Sequence, residues 1–212
     1  IDAACRRCGV ACVGTGVNPG YLMDFLPATL STVCQRVDRL RVWRVQDASK
    51  RRGPFQKKIG AGLSRADFRE QVKAGAIRHV GLLESVHMVA AAMDWQLDEA
   101  TESIKPVIAE RRIRTKHVRV EAGEAAGVEQ IGKGKVEGRE VIRLVFRAAV
   151  SEPESYDTVK ITGEPSVEST IAGGVNGDIA TCAVTLNVAQ AIVHAPPGLH
   201  TMLDLPGVHY RG

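Results

Sequence analysis

Apolar and charged side chains alternate along the stretch from Val37 to Asp47. Aliphatic residues are interleaved there with arginines, as Val37, Leu40, Val42 and Val45 against Arg39, Arg41 and Arg44. A period of two places every second side chain on the same side of an extended backbone. The pattern therefore predicts a half-buried strand over residues 38–47.

Short extended segments separated by turn residues fill the second half of the chain, at 116–122, 127–133, 139–149, 156–162 and 166–171. Helical patterns are found at 20–34, 64–74, 82–93 and 178–193. Successive strands with short turns are typical of antiparallel pairing. The predicted fold class is therefore α+β, with a mainly antiparallel or mixed sheet and helices on one face. We expect residues 115–171 to form a contiguous antiparallel sheet, covered by the helices at 20–34, 64–74 and 178–193.

A glycine-rich loop over residues 14–16 follows the first predicted strand, 10–14, which itself follows a helical pattern over residues 2–8. Asn18 suits the N-cap of a helix and Pro19 suits its first turn. The free N–H groups of such a helix start would receive an anion or a polar ligand group. We therefore expect a ligand to bind near this loop.

The same loop has two interpretations. It resembles a dinucleotide fingerprint, in which Asp47 at the end of the next strand would bind the ribose. However, that strand leads into a basic loop and not into a further βα unit, and the second half of the chain is a meander. The alternative is that the loop is a crossing between two domains.

Composition excludes some classes of partner. The 212 residues are 44% hydrophobic and 4% aromatic, with a formal net charge of +4. The mild charge and the scarcity of aromatic residues argue against a nucleic-acid binder, and no apolar run reaches the ~20 residues of a membrane span. An odd number of cysteines, five, favours reduced thiols and a cytoplasmic protein.

Three cysteines near the N-terminus, Cys5, Cys8 and Cys12, are spaced like part of a metal site. A tetrahedral metal site usually takes two ligand pairs, and no second pair follows in the sequence. We therefore expect these cysteines to be buried small side chains and expect no metal.

Positive charge is concentrated in the predicted loop 48–62, which carries Lys50, Arg51, Arg52, Lys57 and Lys58. These side chains can hold a carboxylate or a cofactor phosphate, or can simply be solvated.

A second candidate is His79, which precedes a predicted helix with Glu84 in its first turn. The pair can bind a polar substrate or shuttle a proton. The structural alternative is a satisfied histidine at a loop–helix junction and a favourable charge at a helix N-terminus. Motifs of serine hydrolases, P-loop nucleotide-binding proteins and zinc peptidases are missing from the sequence.

Five segments, in order, carry a family resemblance: GTGVNPGYLMD, QDASKRRGPFQKKIGAG, IRHVGLLESV, GGVNGDIATCAVTLN and APPGLHTMLDLP. Together they resemble the C-terminal part of 2,4-diaminopentanoate dehydrogenase-like proteins, which are relatives of dihydrodipicolinate reductase. The resemblance implies that a Rossmann domain binds NAD(P) and that a C-terminal domain, an open sheet with helices on one face, binds substrate and builds the oligomer. Residues 1–16 would then be the end of a dinucleotide-binding domain and 17–212 the substrate-binding and oligomerisation domain, whose final helix and tail pack back on the first domain. Because the chain begins within a predicted helix, we expect an upstream segment.

The resemblance departs from the reductase where that enzyme carries its chemistry. The reductase motif H-H-x-x-K, followed by D-x-P-S-G-T, corresponds here to residues 46–57. Lys50 and Pro54 align, whereas both histidines and the S-G-T do not. The S-G-T segment holds a substrate carboxylate, so its absence argues against a cyclic dicarboxylate and favours an amino acid or diamine substrate.

The resemblance implies NAD(P)-dependent oxidative deamination at an amine-bearing carbon. The alternatives are a dihydrodipicolinate reductase-like imine or enamine reductase, or a non-catalytic binding or oligomerisation module. Each candidate residue carries an expected role: catalysis by Asp47 and Lys50; substrate binding by Asn18, Lys57, Lys58, His79, Glu84 and Asn176; cofactor contact by Gly14, Thr15 and Gly16. We expect Asn18, Asp47 and Lys50 to face one cleft, the substrate to be a small molecule, and the protein to be a homo-oligomer that associates through its sheet.

Overall fold

A computed structural model describes residues 1–210, so the last two residues of the predicted second domain lie outside the described part. A mixed sheet of six strands forms its centre, in the order β3-β6-β7-β2-β8-β9. The strands of this sheet are β2 Arg36–Asp47, β3 Glu99–Ile108, β6 Ala125–Val136, β7 Arg139–Ala149, β8 Tyr156–Glu164 and β9 Val167–Ala172. The remaining strands are short: β1 Ala11–Val13, β4 Ile113–Arg114, β5 Arg119–Val120 and β10 Gly198–His200.

The helices are α1 Asp2–Cys8, α2 Phe25–Leu30, α3 Gly53–Lys58, α4 Arg65–Lys73, α5 Leu82–Ala92 and α6 Gly177–Ile192. Ser64 caps α4, since its hydroxyl accepts a bond from the Asp67 N–H. The α+β class and the mixed sheet with helices on one face are confirmed.

Strand β2 divides the segment that was expected to form one antiparallel sheet. It lies between β7 and β8, parallel to β7 and antiparallel to β8. The expectation of a contiguous antiparallel sheet over 115–171 is therefore wrong, although the hairpins β6–β7 and β8–β9 are antiparallel. A strand of 12 residues with an inward row of buried side chains is stabilised by neighbours on both edges, which explains its central place.

The two faces of the sheet differ in character. Helix α5 packs over β6, β7 and β3, and this covered face contains the main hydrophobic core. The opposite face, which we call the open face, combines apolar side chains with charged ones around them, namely Trp43, Val45, Ile131, Val145 and Tyr156 with Arg41, Glu129, Arg143 and Arg147.

A separate small unit contains both ends of the described chain. Strands β1 and β10 pair in parallel, and α1 packs on them. Helix α6 also packs here, with Val188 and Ala191 buried against Met202. The expectation that the helix at 178–193 covers the large sheet is therefore wrong: the helix exists, but only its first turn reaches the main core, through Ala180.

Two local predictions also differ from the structure. The helix expected over 20–34 begins at Phe25, where Asp24 accepts a bond from the Phe25 N–H, and it ends in a 3-10 turn over Ser31–Val33. The basic loop expected over 48–62 contains the helix α3.

No helix among residues 1–210 combines the length and the apolar composition needed to cross a bilayer. In the same residues, no three His, Cys, Asp or Glu side chains come together as a metal-binding group. Cys5 is buried, but Cys8 and Cys12 are exposed, so the expectation that all three are buried is wrong.

Candidate functional site

A row of side chains crosses the covered face of the sheet. Gln130, Phe146, Arg44 and Asp157 are successive neighbours on β6, β7, β2 and β8. We call these four residues the polar row. Side chains directly opposite on neighbouring strands lie close together, so the sheet register alone places these groups side by side beneath the helices.

Arg44 and Asp157 form a buried ion pair in this row. They are 3% and 5% exposed, and Arg44 Nη1 lies 3.6 Å from Asp157 Oδ1, beyond hydrogen-bond distance. Burial lowers the pKa of Arg44 and raises the pKa of Asp157, although the opposite charge of each partner counteracts the shift. Desolvation thus outweighs the mutual attraction, as expected for charges inside a protein.

The ion pair anchors the segment before α6. Arg44 Nη2 and Gln46 Nε2 donate to the Val175 carbonyl, at 3.2 and 2.9 Å, and Asp157 Oδ2 accepts from the Val175 N–H at 2.7 Å. The next residue, Asn176, caps α6 by accepting from the Asp178 and Ile179 N–H groups. Asn176, predicted to bind substrate, therefore shapes the start of a helix.

Two arginines of the basic stretch 48–62 form ion pairs with the first turn of α6. Arg51 and Arg52 both contact the Asp178 carboxylate, at 3.2 and 3.0 Å. Arg51 stacks over the Phe55 ring at 4.2 Å, which fixes its direction. The fully buried amide of Gln56 lies within 3.0 Å of three carbonyl oxygens of residues 48–51 and holds this loop in place.

His79 lies against the polar row. Its ring stacks on Phe146 at a centroid distance of 4.4 Å, and its backbone N–H donates to Gln130 Oε1. The pKa of His79 is lowered from its ordinary 6.5 to about 4, mainly by burial and further by the positive charges of Arg44 and Lys58. The imidazole is therefore neutral at pH 7.

Asn18 contacts the ring of His79 directly. Asn18 Nδ2 lies 2.6 Å from His79 Nε2, so the amide donates to the unprotonated nitrogen of the ring. Asn18 Oδ1 is buried and has no hydrogen-bond partner among residues 1–210. The predicted N-cap role of Asn18 is wrong, because the residues that follow form turns until Asp24 caps α2. Its place beside His79 nevertheless puts it in the candidate site.

Asp47 lies outside this arrangement. Its carboxylate accepts from the Ser49 N–H and hydroxyl and from the Ser151 N–H, at 2.6 to 3.1 Å. Alternation along β2 directs Asp47 to the open face, opposite to Arg44. The predicted cleft shared by Asn18 and Asp47 is therefore wrong.

The other predicted residues take varied positions. Lys50, Lys57, Lys58 and Glu84 are exposed, and Lys50 makes no ion pair or side-chain hydrogen bond within the described residues. Glu84 lies in the first turn of α5, as expected.

Gly81, the N-cap of that helix, has φ +97°, and a Cβ there would meet Pro19 Cδ at 2.6 Å. The turn carrying Asn18 can thus pack closely on α5 only because residue 81 is glycine.

The loop of Gly14, Thr15 and Gly16 does not lead into a helix N-terminus. Turns occupy residues 18–24, and the Thr15 hydroxyl lies 3.0 Å from Met202 Sδ. A dinucleotide fingerprint needs a helix immediately after the glycines, so that interpretation is wrong for this loop. The loop instead connects the β1–β10 unit to the large sheet.

Three members of the polar row, Gln130, Phe146 and Asp157, were not predicted from the sequence. The fourth, Arg44, was counted among the outward arginines. One signal was available for Arg44: counted in steps of two from Leu40 and Val42, it falls on the buried face. Gln130 and Asp157 also occupy inward positions of their strands, but only the sheet order shows that they are neighbours of Arg44.

The family model described as the 2,4-diaminopentanoate dehydrogenase C-terminal domain matches residues 21–210. The 2,4-diaminopentanoate dehydrogenase of Acetoanaerobium sticklandii is 33% identical over 213 residues, which cover 97% of this chain and 60% of that protein. The amine dehydrogenase of Streptomyces virginiae is 26% identical over 225 residues, with coverages of 96% and 62%. The chain thus spans about 60% of the length of these relatives.

A solved structure has the same fold. The amine dehydrogenase from Mycobacterium smegmatis superposes with a TM-score of 0.84 at 22% identity, over 99% of this chain and 63% of that one.

The lowered pKa of His79 predicts how stability depends on pH. Between pH 6.5 and 4 the unfolded chain binds a proton at residue 79 that the folded chain does not bind, so stability falls as the pH falls through this window. The contribution amounts to about 3 kcal/mol at the acid end. Urea unfolding from pH 7 to pH 4 should show a shallower loss for His79→Gln than for the original chain. The exposed His87→Gln is the control and should keep the original slope; equal slopes for all three proteins would contradict the assignment.

Proposed function

The chain belongs to the 2,4-diaminopentanoate dehydrogenase C-terminal domain family, and from this we propose that it is the substrate-binding part of an NAD(P)-dependent oxidoreductase that deaminates an amino acid or a diamine. The names of two relatives, a diaminopentanoate dehydrogenase and an amine dehydrogenase, support an amine-bearing substrate. They do not favour the reductase-like alternative.

One observation carries the assignment of the site: the neutral His79 fixes an asparagine whose buried oxygen has no hydrogen-bond partner within residues 1–210. Because Asn18 Nδ2 donates to the ring, Asn18 Oδ1 remains as an acceptor without a partner in the part of the chain that the structure describes. An amine or ammonium group supplies the N–H donors that such an oxygen needs. We assign Asn18 as the contact for the substrate amine and His79 as the group that orients it.

His79 is a poor general base in this setting. A group with a pKa near 4 is almost entirely unprotonated at pH 7, and its conjugate acid is too strong to hold a proton taken from an ammonium group. A neutral ring also avoids repelling a cationic substrate. Lys50, Lys57 and Lys58 are exposed on or beside α3, and we propose that they bind the polar end of the substrate that lies away from the amine.

The described residues do not form a cradle for the cofactor. A diphosphate group is usually held at the N-terminus of a helix directly after a glycine loop, and residues 18–24 form turns at that place. We therefore propose that the cofactor is held chiefly by the part of the family's proteins that this chain does not match. Gly14, Thr15 and Gly16 would contribute only to the edge of that site.

The domain assignment is also a proposal. A parallel pair such as β1–β10, with α1 packed on it, resembles the margin of a larger parallel sheet, since two strands alone bury little apolar surface. We propose that residues 1–16, together with α6 and the tail, pack with a dinucleotide-binding domain. The rest of residues 17–212 would form the substrate-binding and oligomerisation domain.

The open face is our proposed interface between copies. Its apolar centre of Trp43, Val45, Ile131, Val145 and Tyr156 is flanked by both positive and negative side chains. A patch with this composition is typical of isologous contacts, in which each charge can meet its opposite on the second copy.

Removal of the proposed amine contact should weaken substrate binding. For Asn18→Ala we expect the affinity of the chain for 2,4-diaminopentanoate to fall ~10- to 100-fold, because a hydrogen bond to a charged group contributes about 1.5–3 kcal/mol. Isothermal titration calorimetry measures this, with Lys73→Met on α4 as a distant control that keeps the original affinity. Unchanged binding by Asn18→Ala would remove Asn18 from the site, and no binding by the original chain would contradict the proposed function.

Charge placed on the open face should prevent self-association. We expect the original chain to be an oligomer and Val145→Asp to be a monomer, because a carboxylate in the apolar centre would be buried without a partner. Leu186, 68% exposed on α6, offers a matched control, since Leu186→Asp changes an equally apolar side chain away from the sheet. Sedimentation equilibrium separates the outcomes: dissociation by Leu186→Asp alone would place the interface on α6 instead.

A further inference from the structure

Three buried polar side chains lie behind the Asn18–His79 pair. Asp24, Ser85 and Gln130 are all 0% exposed. Fully buried polar groups are costly unless they are hydrogen-bonded, so each of them needs partners. Asp24 and Gln130 bond to the backbone segments that carry Asn18 and His79, and Ser85 donates to Asp24.

Asp24 fixes the segment that carries Asn18. Its Oδ2 accepts from the Gly20 N–H at 2.8 Å and from the Ser85 hydroxyl at 2.7 Å, and its Oδ1 accepts from the Phe25 N–H at 2.7 Å. The carboxylate therefore ties the turn to α5 and to the start of α2. Met23, next to it in sequence, is fully buried and places its Sδ 3.1 Å from Asn18 Nδ2.

Gln130 fixes the segment that carries His79. Its amide accepts from the His79 N–H at 2.7 Å and donates to the His79 carbonyl at 3.1 Å, so both backbone groups of one residue are bound by one side chain. The same Nε2 also donates to Glu102 Oε2, and Glu102 pairs with Arg78 at 3.0 Å. Gln130 on β6 thus fixes the backbone of His79, while the His79 ring stacks on Phe146.

We infer that Asp24 and Gln130 are positioning residues: each fixes the backbone of one member of the Asn18–His79 pair, so that the pair is assembled before a substrate arrives. The inference rests on the proposed function, in which this pair meets the substrate amine. Side chains that are already held in place lose little conformational entropy when the ligand binds. A displacement of the order of 1 Å is enough to lose the contact between Asn18 and the substrate amine. The roles differ from that of Gln56, which is equally buried but, within residues 1–210, makes its side-chain hydrogen bonds to residues 48–51 and Thr115 instead.

The test measures the pKa of the His79 ring in the folded chain by nuclear magnetic resonance titration, because this pKa reports whether the Asn18–His79 pair is intact. Asp24→Asn keeps one carbonyl oxygen of the carboxylate, and Gln130→Met keeps the length of the side chain without its hydrogen bonds. Both variants should release the pair, expose the ring to water, and raise the pKa of His79 by at least one unit. Ser85→Ala, which removes one bond of Asp24, should give a smaller rise and serves if the stronger variants do not fold.

A control separates positioning from general destabilisation. Val89, fully buried on α5, contacts neither segment through a polar group, so Val89→Ala should lower stability and leave the pKa of His79 unchanged. A pKa that stays near 4 in Asp24→Asn, Gln130→Met and Ser85→Ala, or that rises equally in Val89→Ala, would overturn the inference.

Binding of 2,4-diaminopentanoate to the same variants distinguishes the inference from the proposed function. If both hold, Asp24→Asn and Gln130→Met weaken binding at least fivefold, and Val89→Ala does not. If the pKa of His79 moves as expected but the original chain binds no diamino acid, the positioning roles stand and the proposed function falls. If the original chain binds and neither variant changes affinity or pKa, the proposed function stands and the positioning roles fall.

Discussion

A guanidinium group buried beneath the helices is the constraint on which the candidate site depends. Arg44 lies in the middle of the covered face with 3% exposure, and a charge in such a place is tolerated only if other groups compensate it. Asp157 supplies the opposite charge and the Val175 carbonyl supplies an acceptor. The same charge adds to the effect of burial, which is the main reason why the pKa of His79 is lowered. One buried cation therefore anchors the start of α6 and further favours the neutral form of the ring that orients Asn18.

The topology of the sheet makes this arrangement possible. Because β2 lies between β7 and β8, the register of three strands brings Phe146, Arg44 and Asp157 into one row, although more than 100 residues separate Arg44 from the other two. The strand also carries the side chains of the proposed interface on its other face. A single inserted strand therefore connects the candidate site on one side with the open face on the other.

Periodicity was enough to predict most elements of this fold, because local patterns of two and 3.6 residues reflect burial on one face. Periodicity could not predict the order of the strands, because the neighbours of β2 are set by contacts between residues that are distant in sequence. Arg44 shows a recoverable error: strict counting along β2 would have assigned it to the buried face. The error at Asn18 could not have been avoided from the sequence. Its partner, His79, lies 61 residues away, and local capping preferences suggest a helix start that does not form.

The most direct test of this account replaces both members of the buried ion pair by apolar side chains of similar size, as Arg44→Met with Asp157→Leu. Such a double replacement leaves no unpaired buried charge and is commonly tolerated. Nuclear magnetic resonance titration then measures the pKa of His79. The account predicts a rise of about one unit from its value near 4, because a neighbouring positive charge has been removed while the ring remains buried. A pKa that stays unchanged, or falls, would show that the charge of Arg44 does not lower the pKa of His79.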